Sequence, residues 1–195
     1  MNKKSNTNYL IEGYYDRLDD LFRGFLNNQT NRDAMNEAIN MLKKTKDTDR
    51  ISYIVGNGGS AALAEHMAID LTKNAGLKAL AISGSPMLTT FSNDYGYEHV
   101  FSKAIGAFGK KDDILIAISS GGTSPNIINA CISARNKGMK IITLSGFNSD
   151  NPLRKQGIIN FWIDTNAYGF VEIIHGLILH YINDSIIGSE VYMIK

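Results

Sequence analysis

The amino-acid sequence predicts a three-layer α/β fold: a parallel sheet between two layers of helices, preceded by a helical extension. Two observations carry this. Short apolar runs recur from residue 51 onward, at Ile51–Val55, Leu80–Ile82, Ile114–Ile118, Ile141–Leu144 and Ile158–Ile163. They are continuous rather than alternating, as strands buried on both faces require. Stretches with helical spacing separate them, and strand–helix alternation builds a parallel sheet with right-handed crossovers.

The elements follow in order. Tyr14, Leu18, Leu21, Phe22 and Phe25 keep helical spacing, as do Met35, Ala38, Ile39 and Leu42, with a break at Asn27 to Thr30. These two helices form an extension over residues 1–50 that covers a core or a subunit face. The sheet and its helices then occupy residues 51–187, and the whole chain, 1–195, reads as one domain. The connecting helices are expected over Ala61–Asn74, Pro86–Phe108, Pro125–Lys137 and Tyr168–Ile187.

Composition narrows the function classes. Hydrophobic residues make up 44% and charged residues 20% of the 195, ordinary for a globular protein. Lys plus Arg number 20 against 19 Asp plus Glu, for a net charge of +1, so no broad nucleic-acid surface is expected. The single cysteine, Cys131, sits in the apolar pattern of a helix and can form no intrachain disulfide. A buried, inert thiol in a reducing compartment is the expectation. No apolar run approaches the roughly 18 residues of a membrane span, and Met1 to Asn8 lacks a signal peptide's apolar stretch, so a cytoplasmic protein is expected.

Ligands of such sheets bind at the carboxyl ends of the strands, so the loops there matter most. After the first strand comes Gly56-Asn57-Gly58-Gly59-Ser60-Ala61. Its glycines let the backbone approach an anion, and the following helix offers free N–H groups. The spacing matches a dinucleotide fingerprint, but residues Ala79 to Gly84 lack the acid that fingerprint needs. After the third strand comes Ser119-Ser120-Gly121-Gly122-Thr123-Ser124-Pro125, four hydroxyls and two glycines at a strand-to-helix turn. Pro125 suits the first helical position and Ser124 the N-cap. Two such loops at neighbouring strand ends point to a small phosphorylated ligand. In Ser92-Asn93-Asp94-Tyr95-Gly96-Tyr97, a helix stop and turn explains the pattern as well as a sugar-hydroxyl contact from Asp94 does.

His66 and Asp70 are four apart on the helix leaving the glycine loop, so they share a face suited to one metal ion or to a plain surface hydrogen bond. The last helix carries Glu172, His175 and His180. Glu172 and His180 lie about 12 Å apart along a straight helix, so spacing alone pairs Glu172 with His175. One of the two histidines is expected to be a core residue.

The glycine loop, the His66-x-x-x-Asp70 helix, Asn93-Asp94-Tyr95-Gly96-Tyr97, the serine loop and the acid–histidine helix, in this order, resemble the phosphoheptose isomerases of the sugar isomerase (SIS) domain family. The likeness runs from about residue 8 to 187. It implies a five-stranded parallel sheet, a homotetramer with active sites at subunit interfaces, and interconversion of sedoheptulose 7-phosphate with an aldoheptose 7-phosphate, often with zinc. Carried over, Asn57, Gly58, Gly59 and Ser60 would contact substrate. Ser119, Ser120, Gly121 and Ser124 would hold the phosphate, and Asn93, Asp94 and Glu172 the sugar. The metal ligands would be His66, Asp70, Glu172 and His180, with zinc or another divalent ion. The resemblance thus prefers His180 to His175. The chain departs from the better-known members, which have Glu for Asp70, Gln for Glu172, Arg near Asn74 and Asp near Gly169.

Isomerisation needs a base near two adjacent carbons and a second group for the oxygens. Asp70 or Glu172 is expected to move the carbon-bound proton, and His180 to serve the oxygens. The resemblance further implies surface-polysaccharide heptose synthesis as the setting. Other readings share the fold: a non-catalytic protein binding a phosphosugar or a partner such as a replication initiator, or an isomerase of another ketose phosphate.

Overall fold

The computed structural model describes residues 7–192. Five strands, β1 (Ser52–Val55), β2 (Ala79–Ala81), β3 (Ile114–Ser119), β4 (Lys140–Gly146) and β5 (Ile159–Ile163), form one sheet in the order β2-β1-β3-β4-β5. Every pairing is parallel, and β1 aligns with β3 from Ser52 opposite Ile114 to Val55 opposite Ala117. The helices are α1 (Thr7–Asn27), α2 (Gln29–Lys43), α3 (Gly59–Lys73), α4 (Ser85–Tyr95), α5 (Val100–Phe108), α6 (Pro125–Asn136) and α7 (Tyr168–Ile187).

Alternate strand side chains enter two cores. Ile54, Ile116, Ile118, Leu144 and Phe161 pack with α2, α3 and α7, and Phe25 of α1 joins them. Tyr53, Val55, Leu115, Ala117 and Ile141 pack with α5 and α6 on the other face. The expected three layers are therefore present. α3 and α6 leave adjacent strands for opposite faces, which opens a crevice between the carboxyl ends of β1 and β3. That is the switch point where sheets of this order bind ligands.

The structure refines several sequence expectations. α1 and α2 are separated by Asn28 alone, whose Oδ1 accepts from the Thr30 N–H at 2.9 Å. The expected helix Pro86–Phe108 is interrupted: α4 stops at Tyr95, a 3-10 turn covers Tyr97–His99, and α5 follows. Gly96 takes φ +85°, which favours glycine and breaks the helical run. Only the central strands β1 and β3 are buried throughout; β5 alternates buried and half-buried positions, and Leu80 of β2 is exposed, because these two are the sheet's edges.

α7 corrects the expectation that no segment is long and apolar enough for a membrane span. Its 20 residues reach that length and hydropathy. Half of that stretch is buried within the fold, and Val171, Ile174, Ile178 and Ile182 line the first core, so α7 is a core helix. Cys131 is fully buried as expected, and burial pushes its thiol up to about 12, which leaves it unreactive.

Candidate active site

The site grows out of the loops after β1 and β3. Gly56 ends β1 where a Cβ would sit 2.4 Å from the Ser60 carbonyl oxygen, so only glycine lets the chain turn back this tightly. Gly58 takes φ +53°, and the Asn57 carbonyl accepts from the Ser60 N–H at 3.0 Å. The α3 N-terminus thus opens at Gly59, beside a surface with Gly58 and Gly59 exposed. Ser60 turns inward and is buried.

The loop after β3 closes in the same way. The Gly122 N–H donates to the Ser119 carbonyl at 3.0 Å, and Gly122 has φ +66°. Ser124 occupies the N-cap position of α6, but its hydroxyl caps nothing; it lies 3.1 Å from the Ser119 hydroxyl. This corrects the capping role expected of its side chain. Ser119 and Ser120 are buried, while Gly121 is half-buried against the Phe147 ring.

The two loops are tied together. The Asn57 Nδ2 donates to the Asn126 Oδ1 at 3.0 Å, and the Asn126 Nδ2 donates back to the Asn57 Oδ1 at 2.9 Å. The Tyr97 hydroxyl donates to the same Asn57 oxygen at 2.9 Å. Sequence reasoning missed Asn126; a polar residue at the second position of a helix carries no signal separating it from an ordinary first-turn residue. Asn93 and Asp94 end α4 exposed, and the Asn93 Nδ2 donates to the Asp94 Oδ1 at 2.9 Å.

α3 and α7 lie side by side in the first core. At their N-terminal ends Glu172 stands over Gly59: a Cβ there would lie 2.8 Å from its Oε1. Farther along, ligand atoms of His66, Asp70 and His180 all lie within 4.8 Å of one another. The Asp70 Oδ2 is 3.3 Å from the His66 Nε2 and 3.9 Å from the His180 Nδ1, and the two rings meet edge to face at 5.2 Å. The Asn74 Nδ2 donates to the Asp70 Oδ1 at 3.1 Å, which fixes the carboxylate between the histidines.

Two imidazoles and a carboxylate so placed could together hold a divalent ion. Glu172 stands outside this group, at the glycine loop. His175 takes no part in either place. It is fully buried, with its Nε2 3.2 Å from the Ser145 carbonyl oxygen, and burial pushes it down to about 4. The pairing of Glu172 with His175 from spacing is therefore wrong: three residues along α7 turn the histidine from the α3 side into the core. His180 is the histidine that lies beside His66 and Asp70.

The SIS domain family matches residues 13–146. A phosphoheptose isomerase of Proteus mirabilis is 40% identical over 142 residues, which span 70% of this chain and 74% of that protein. One from Helicobacter pylori is 34% identical over 163 residues, spanning 80% and 83%. Among solved structures, the phosphoheptose isomerase of Neisseria gonorrhoeae superposes with a TM-score of 0.84 at 26% identity, covering 93% of this chain and 99% of that one. By fold and by sequence, this chain belongs to the phosphoheptose isomerase family of SIS-domain enzymes.

Proposed function

We propose that this enzyme interconverts sedoheptulose 7-phosphate and D-glycero-D-manno-heptose 7-phosphate by proton transfer through an enediol. The observations that carry the reading are the two tied loops and, farther along α3 and α7, a carboxylate flanked by two imidazoles. The phosphate monoester sits at the loops, where Ser119, Ser120, Gly121 and Ser124 offer hydroxyl and N–H groups and the N-termini of α3 and α6 favour negative charge. Gly58, Gly59, Ser60 and Glu172 line the sugar's path toward α3, and Asn93 and Asp94 bind hydroxyls.

Asp70 removes a proton from C1 of the ketose. The C–H pair becomes the C1=C2 double bond, and His180 delivers a proton to the C2 oxygen. His180 then takes the proton of the C1 hydroxyl as the C1 carbonyl forms, and the proton held by Asp70 goes to C2. A base and an acid so close together suit a reaction that needs both at neighbouring atoms. A divalent ion held by His66, Asp70 and His180 would supply Lewis-acid polarisation of the carbonyl in place of the His180 proton.

Glu172 is the other candidate for the carbon-bound proton, and isotope exchange separates the two. Turnover of a panel of ketose phosphates in heavy water is expected to favour sedoheptulose 7-phosphate and to place deuterium on carbon. Asp70→Asn is expected to lower exchange by about 10²–10⁴-fold, while Glu172→Gln retains it. Full exchange by Asp70→Asn removes that role from Asp70.

The exposed apolar residues on α7 support a homo-oligomer, which we take to be a tetramer, and the charge balance gives no support to a nucleic-acid partner. The buried half of α7 speaks for a core helix rather than a membrane anchor. The enzyme is placed in the cytoplasm, supplying heptose for surface polysaccharide.

A further inference from the structure

We infer that Asn126 and Tyr97 are positioning residues that set the distance between the two phosphate-binding loops through Asn57. The inference rests on the proposed phosphosugar reading of those loops. Asn126 is 2% exposed, at the start of α6 just after Pro125. Its Oδ1 accepts from the Asn57 Nδ2 and from the Ile127 N–H, each at 3.0 Å, and its Nδ2 donates to the Asn57 Oδ1. The Asn57 oxygen takes a second hydrogen bond from the Tyr97 hydroxyl. The amide pair therefore joins three segments that are distant in sequence: the glycine loop, the serine-loop helix and the turn after Asn93 and Asp94.

Its location gives the pair its leverage. β1 and β3 are neighbours in the sheet, and each leads through its loop into a helix N-terminus. An anion held between two N-termini is bound well only at one separation, because the field of each terminus falls off within a turn. The reciprocal amides span that gap with two bonds of fixed direction. They also hold the Asn57 carboxamide in one orientation: its oxygen is taken twice and one of its two N–H groups once, which leaves the second N–H free for a ligand. Apolar packing alone would leave a buried amide unpaired, which the reciprocal bonds avoid. Tyr97 is 55% exposed, so removing its hydroxyl disturbs no core and tests the third arm separately.

The test is Asn126→Asp and Tyr97→Phe, read by KM and kcat for sedoheptulose 7-phosphate and by the calorimetric Kd of the same compound from pH 5 to 8. An ionised carboxylate faces the Asn57 oxygen with no proton to donate. A protonated one restores both bonds, its O–H replacing the Nδ2 donor. At pH 8, Asn126→Asp is expected to raise KM and Kd about tenfold with kcat within about threefold, the ratio to wild type returning toward one as the pH falls to 5. Tyr97→Phe is expected to raise KM about threefold at every pH. If Asn126→Asp does not fold, Tyr97→Phe alone decides. Wild-type KM and Kd in both variants overturn the inference, as does a loss in Asn126→Asp that is independent of pH. Should the wild type bind the sugar phosphate without turning it over, the isomerase reading fails, and the Kd ratios still decide the role of Asn126 and Tyr97.

Discussion

At the scale of single residues, buried polar groups carry the sharpest consequences. His175 is neutral in the fold: its Nε2–H donates to the Ser145 carbonyl, and its Nδ1 has no partner among the described residues. Desolvation holds it near 4, against only a partial opposing effect of that backbone bond. An unfolded histidine titrates near 6.5, so between these values the unfolded chain binds the extra proton. Stability is therefore full above about pH 6.5 and falls as the pH drops toward 4, by about 3 kcal/mol for this one group. Urea midpoints measured from pH 7.5 to 4.5 should show that slope, and His175→Gln should flatten it; an unchanged slope in the variant places the acid sensitivity elsewhere. Asn151 poses a different residue-scale test. It is 2% exposed, its Nδ2 donates to the Gly146 and Asn148 carbonyls, and its side chain lies where a Cβ on Gly122 would project. Gly122→Ala, with φ +66° and this collision, is expected to lose at least about 2 kcal/mol and raise KM together, because the strain falls on the phosphate loop. Thermal melts with paired kinetics check it, and an unaltered KM separates the loop's stability from its binding role.

At the scale of elements, the parallel α3 and α7 make a surface that neither helix predicts alone. The i to i+4 spacing of His66 and Asp70 was legible in the sequence, and so were the strand–helix alternation and the two loops, because each is a local pattern. Which histidine of α7 joins them was not: residues 175 and 180 differ in phase around the helix, and only the packing against β4 decides that His175 points inward. The position of Glu172 escaped for the same reason, since it depends on where α7 starts relative to Gly59. Asn126 and Tyr97 escaped because their bonds span 69 and 40 residues of chain. The α3–α7 geometry makes a metal-content prediction. His66→Ala and His180→Ala, reconstituted with zinc and dialysed, should retain less than about a tenth of the wild-type metal, since losing one of three ligands removes a third of the donor set. Glu172→Ala should retain it in full. Elemental analysis reads this directly, and loss of zinc in Glu172→Ala would bring that carboxylate into the coordination group.

At the scale of the whole molecule, the outward face of α7 calls for a partner. Ile173, Leu177 and Tyr181 recur every four residues and are 41%, 42% and 51% exposed, while Ile69 on the neighbouring α3 is 63% exposed. An isolated exposed apolar residue needs no explanation, but a row of them along one helix, with another on the adjoining helix, is the kind of surface that marks an interface. His66 and His180 are exposed on these same two helices, with side chains 56% and 45% accessible, so a second copy seated there would also shield the proposed isomerisation site from water. Assembly and activity should then fall together. Leu177→Glu places a charge in the middle of the row without touching the core, the loops or the three clustered side chains. The variant is expected to keep its far-ultraviolet dichroism while its mass by light scattering falls below that of the wild type. Turnover should fall at least about tenfold at dilutions where the wild type stays assembled, consistent with burying a charge in place of a leucine contact. Recovery of turnover at high protein concentration would tie the loss to dissociation. A Leu177→Glu protein that keeps the mass and the activity of the wild type would remove the interface from this face.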